Sequence, residues 1–110
     1  MPQIPIQVNF RNMDRSPGME QHIHEKVAVL EHLHPRMVAC RVTIEPHSHR
    51  HGRAGVFHVG IDVTVPGAEL VVTHEPTQHE DLTATLDDAF VKIRRRLDEH
   101  AQRHRAAAGG

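Results

Sequence analysis

Twelve histidines in 110 residues are the side chains best equipped for chemistry in this chain. Imidazole nitrogens ligate transition metals, and His47-x-His49-x-His51 would share one face of an extended segment. Arg50 and Arg53 stand among them and repel a cation. The set therefore reads first as a hydrophilic, weakly basic loop, with a metal-responsive module as the alternative. His22-x-His24 and His32-x-His34 fall in a helical stretch, where a spacing of two turns imidazoles about 200° apart and prevents local chelation. An unperturbed imidazole titrates at about 6.5, so the histidines are also a reserve of positive charge in mild acid.

The usual catalytic patterns are missing. Asp87 and Asp88 are adjacent carboxylates, but they lie on the first exposed turns of a helix, where solvation and the helix dipole explain them. Cys40 alternates with Val42 and Ile44 toward a core, as a small apolar filler would; as the only cysteine it makes no disulfide. The phosphate-cradling loops, the HExxH metalloprotease helix and the GxSxG elbow are all absent from the sequence. No enzyme, no cofactor and no metal centre is expected.

Charge carries more information. Residues 1–91 hold 7 Lys+Arg against 12 Asp+Glu, a net of −5, whereas residues 92–110 hold 6 against 2, a net of +4. An acidic body with a basic end points to a polyanionic partner. At 100° per residue, Lys92, Arg95, Arg96 and Arg103 form a stripe along one flank of the last helix, broken by Glu99, with Arg94 and Arg105 on the other flank. Arginine forks suit phosphate. With three Phe and no Trp or Tyr, stacking platforms are scarce, so the reading is recognition of RNA shape and backbone, with no DNA partner.

These residues need positioning elements. Ile4, Ile6, Val8 and Phe10 alternate with polar residues as a half-buried strand, and Pro5 puts it at a sheet edge. Ser16-Pro17 opens a helix whose apolar stripe is Met19, Ile23, Val27, Leu30 and Leu33, closed by Pro35. Cys40, Val42 and Ile44 mark a second strand, followed by a polar loop over 46–55. Phe57, Val59, Ile61, Val63 and Val65 mark a third. Pro66-Gly67 turns into a fourth strand bearing Leu70 and Val72. Asp81 caps a final helix with Leu82, Leu86, Ala89, Phe90, Ile93 and Leu97 on one arc.

The order is β-α-β-β-β-α. A right-handed crossover makes the first two strands parallel and hairpins make the rest antiparallel. The predicted fold is an α/β two-layer sandwich: a four-stranded mixed sheet with both helices on one face and the other face open. The open face or an edge strand leaves a protein-interaction module as a further alternative. A single domain is expected over residues 1–105, with a flexible tail over 106–110. The opening MPQIPIQVNF has no signal-peptide pattern and no apolar run is long enough to span a membrane, so a cytoplasmic protein is expected.

The segment His79-Glu80-Asp81-Leu82-Thr83-Ala84-Thr85-Leu86, running into Lys92-Ile93-Arg94-Arg95-Arg96-Leu97, resembles the ribosome hibernation-promoting factor and ribosome-associated inhibitor family. Arg11-Asn12, the run from Lys26 to Leu30-Glu31, and Val65-Pro66-Gly67-Ala68-Glu69-Leu70 are similar to that family as well, so the resemblance covers nearly the whole chain. It implies the same fold and a short-form member without the extra domain that pairs ribosomes. It also implies binding to the small ribosomal subunit near the decoding region, which blocks mRNA and tRNA under stress. Carried over by position, Lys26 matches a basic residue of the family's first helix, and Lys92, Arg95 and Arg103 match those of its second. Thr83 stands where the family has tyrosine, and Val29 and His32 where relatives often have lysine. The candidate rRNA-binding set is Lys26, Lys92, Arg95, Arg96 and Arg103.

Overall fold

The computed structural model describes residues 4–46, 56–76 and 81–109. Its elements are β1 (Ile6–Phe10), α1 (Pro17–Leu33), β2 (Ala39–Pro46), β3 (Phe57–Val65), β4 (Ala68–His74) and α2 (Leu82–Gly109). The order β-α-β-β-β-α is the one the periodicity predicts. The sheet runs β1-β2-β3-β4, with β1 parallel to β2 and the other pairs antiparallel. Register follows from parity, because a slip of one residue would send every apolar side chain to the wrong face. Val8, Val42, Ile61 and Val72 form one row across all four strands, and Ile6, Cys40, Val63 and Leu70 form a second. A third row runs Phe10, Ile44, Val59 and ends on His74.

Both helices cover this apolar face. Ile23, Val27 and Leu30 of α1 and Leu86, Ala89, Phe90, Ile93 and Leu97 of α2 are buried with the sheet residues in one core. The opposite face carries Arg41, Thr43, Glu45, Asp62, Thr64 and Glu69, and among the described residues no helix lies over it. Glu45, Asp62 and Glu69 outnumber Arg41 there, so this open face is acidic, and the crowding shows in Glu69, whose carboxyl the hydrogen bond and charge of Asp62 raise above its ordinary value.

The ends of the elements are set by local chemistry. Ser16 Oγ accepts from the Met19 amide at 3.3 Å, and Asp81 Oδ1 accepts from the Ala84 amide at 2.8 Å. Both are N-caps at the predicted positions. Gly67 has φ of 79° in the two-residue β3–β4 turn, a left-handed geometry that a type II turn needs at its third residue. Gly67→Ala is expected to cost about 1 kcal/mol through strain at positive φ, read as a lower urea midpoint with an unchanged m-value.

Four expectations shift. The first strand begins at Ile6 rather than Ile4: the Pro5 carbonyl accepts from the Cys40 amide, but the Ile4 amide turns aside to Glu31 Oε1 at 3.1 Å. Pro46, expected in the loop, closes β2 opposite Phe57. Leu33, expected on the apolar stripe, is 43% exposed because α1 ends there; Met37, on the link to β2, is buried instead. The last helix continues to Gly109, into the 106–110 span expected as a tail.

Candidate nucleic-acid interface

Helix α2 presents its cations in three different settings. Lys92 and Arg96 lean over β4, the outer strand of the sheet: Lys92 Nζ donates to the Thr73 carbonyl at 3.2 Å, and Arg96 Nη1 to the Val71 carbonyl at 3.4 Å. Those carbonyls point away from β3, because the alternate residues Leu70, Val72 and His74 make the ladder. Arg95 and Arg103 are exposed and make no hydrogen bond or ion pair among the described residues. From Lys92 to Arg103 the helix rises about 16 Å, long enough to follow several phosphates of one strand.

Lys26 is placed differently. Its Nζ lies 3.2 Å from Asp87 Oδ1, an oxygen that His22 Nε2 also approaches at 3.0 Å. Partial burial pushes the Asp87 carboxyl up, but the hydrogen bonds and charges of His22 and Lys26 outweigh it and hold the group below its ordinary value. Lys26 thus sits in the seam between the helices, on the flank of α2 opposite Lys92 and Arg96. The structure brings Lys92, Arg95, Arg96 and Arg103 onto one side of α2 and separates Lys26 from them.

Histidine–carboxylate pairs are the part of the surface that the sequence reading missed. His22–Asp87 and His34–Asp98, the latter at 2.8 Å, join α1 to α2. His74 Nε2 lies 3.6 Å from Asp88 Oδ2 and joins β4 to α2. Asp87 and Asp88, which helix position alone leaves to solvent, therefore each face an imidazole from another element. A sequence signal existed: Asp87 and Asp98 are eleven residues apart, which places them within about 20° on one helix flank. Of the histidines expected to charge in acid, His22 and His34 are already committed to carboxylates. His24, His32 and His104 are exposed.

His74 gives a pH prediction. Burial first, then the charge of Lys92, push its imidazole below the ordinary value of 6.5, with Asp88 opposing. The unfolded chain therefore takes up the proton before the folded one. Stability from this group is unchanged above pH 6.5 and declines as pH falls below it. His74→Gln should show a shallower loss of stability than the parent between pH 6.5 and 5 in urea titrations; identical slopes would remove His74 as the cause.

The remaining candidates are quickly placed. His47, His49 and His51 lie outside the described residues. Among the described residues no group of three His, Cys, Asp or Glu side chains is arranged to hold a metal ion. Cys40 is buried, and desolvation followed by the charge of Asp62 pushes its thiol up to about 12, so it is no nucleophile at neutral pH. Among the described residues, no helix is long and apolar enough to cross a membrane.

Comparison with known proteins follows the same line. A family model described as "Sigma 54 modulation protein / S30EA ribosomal protein" matches residues 6–105. A ribosomal subunit interface protein from Coxiella burnetii is similar in structure, with a TM-score of 0.76 at 16% identity over 90% of this chain and 99% of that one. The N-terminal domain of Thermus thermophilus Protein Y gives a TM-score of 0.71 at 19% identity, over 89% of this chain and 99% of that one. At these identities the likeness is one of fold. No curated protein matches the sequence.

Proposed function

Because this chain belongs to the Sigma 54 modulation protein / S30EA ribosomal protein family, we propose that it binds the small ribosomal subunit and silences translation by occupying the path of mRNA and tRNA. The family resemblance read from the sequence and the family model agree, and one structural neighbour is named a ribosomal subunit interface protein. The observation that carries the reading is the outer side of α2, where Arg95 and Arg103 stand unpaired among the described residues of a body that is otherwise acidic.

The mechanism is occupancy, with no chemical step. Guanidinium forks of Arg95 and Arg103 meet backbone phosphates of rRNA, and Lys92 and Arg96 reach the same strand from above β4. The acidic open sheet face turns away from the RNA and fixes the orientation. A protein held this way near the decoding region excludes other ligands by volume, under stress conditions in the cytoplasm, without a cofactor. Lys26 contributes only where rRNA competes with Asp87 for its ammonium.

Co-sedimentation with purified small subunits tests this. With about four phosphate contacts, affinity should fall about a hundredfold between 50 and 200 mM salt. Pelleting that is indifferent to salt would instead favour the protein-interaction reading. The metal-responsive reading depends on His47, His49 and His51, and calorimetry with zinc addresses it directly.

A further inference from the structure

Helix α2 outruns the sheet it packs on. It has 28 residues, about 42 Å of helix, whereas the longest strand, β3, has 9 residues and spans about 30 Å. Leu97 is its last residue in the core. The turns that follow pass over the end of α1 and the β3–β4 turn, and between these parts lies a cleft of about 330 Å³. That is at the small end of ligand pockets, which run from about 300 to 1,000 Å³.

The lining of the cleft is specific in chemistry. Its floor is apolar, with Met37, Val65, Leu97 and Ala101. Leu33, which α1 leaves 43% exposed at its end, adds to one wall. Arg36, on the link after α1, and Arg105, on α2, stand on the rim from two different elements. His34, His100 and His104 complete it, and among the described lining residues there is no carboxylate. Asp98, next to Leu97 on α2, is held by His34 at 2.8 Å. In a chain with 14 Asp+Glu against 13 Lys+Arg, a cleft with two guanidiniums and no lining acid is a local reversal of charge.

We propose that this cleft is a binding site for a small amphipathic anion, a free carboxylate with an apolar tail of about ten carbons. The tail lies on Met37, Val65, Leu97 and Ala101, removing apolar surface from water. The carboxylate is taken by Arg36 and Arg105, whose planar forks match its two oxygens. An inorganic anion would leave the apolar floor unused, and a neutral lipid would leave both guanidiniums unused. The inference stands on the cleft itself and is independent of the ribosomal reading.

The test is an NMR titration of the intact chain, following the methyl groups of Val65, Leu97 and Ala101. The probes are decanoate below its micelle concentration, decanol and acetate. Decanoate should shift these methyls saturably and bind at least tenfold tighter than decanol, and acetate should not shift them. Arg36→Gln with Arg105→Gln should erase the advantage of decanoate over decanol; both residues are on the surface, so the fold is not at stake. Ala101→Trp should fill the cleft and abolish the decanoate shifts, with an unchanged amide spectrum for the sheet showing that the chain is folded. Equal affinities for decanoate and decanol, shifts spread over the rest of the molecule, or decanoate binding unchanged by Ala101→Trp would each overturn the proposal.

Discussion

Reversing Arg95 and Arg103 to glutamate together should abolish sedimentation with small subunits and leave the folded state intact. Each guanidinium–phosphate contact contributes about 1.5–3 kcal/mol, so losing two weakens Kd by about 10²–10⁴ before any repulsion from the new carboxylates. Neither residue touches the core or has a partner among the described residues, so the melting temperature should move by no more than about 2–4 °C. Arg96 is the poorer choice despite its place on the stripe, because its guanidinium also bonds the Val71 carbonyl and its loss would mix two effects. The control is Arg94→Glu on the far flank, which should weaken binding far less. Full retention of subunit binding in the Arg95/Arg103 variant would refute this face as the interface.

Ile93→Ala should do the reverse. Ile93 has no exposed surface and packs in the centre of the core, two residues from Arg95 but on the other side of the helix. Truncating a buried isoleucine costs about 2–5 kcal/mol through lost transfer energy and the cavity left behind. That is a large part of the stability of a domain this size. The expected result is a fall of about 10–25 °C in melting temperature by calorimetry, with subunit binding retained at low temperature. A variant that binds poorly while fully folded would mean that α2 has shifted its cationic side, so that core packing and charge placement are coupled.

Much of this architecture was legible in the residues because it rests on period and parity. Alternation across Val59, Ile61 and Val63 fixes which face is buried, and the arc from Leu82 to Leu97 fixes which side of α2 meets the sheet. Ser16 and Asp81 announce their helices by chemistry that is local in sequence. What was not legible depends on how far elements extend past one another. Leu33 has the spacing of a core residue, yet α1 stops where nothing remains to cover it, and Met37 takes its place from a link without periodicity. Partners across elements were invisible for the same reason. Asp87 looked solvated and Lys26 looked available for phosphate, because helix spacing says nothing of which flank a second helix will lie against. In the sequence Lys92 and Arg96 are only charges, because the carbonyls they bond are exposed by the place of β4 at the edge of the sheet.

The cover that Lys92 and Arg96 give β4 bears on how this chain behaves at high concentration. An outer strand with bare peptide groups is a template on which another copy can add its own strand, the first step toward fibrils and precipitates. Cationic side chains laid across those peptide groups occupy the acceptors and make two such edges repel. At the other edge, the Ile4 amide ahead of β1 is taken by Glu31, and Pro5 has no N–H to offer. The two outer strands thus carry unlike guards, one cationic and one built from a proline and a carboxylate. A polyanion that draws Lys92 and Arg96 onto its phosphates lifts the guard from β4 while itself shielding that edge from other copies.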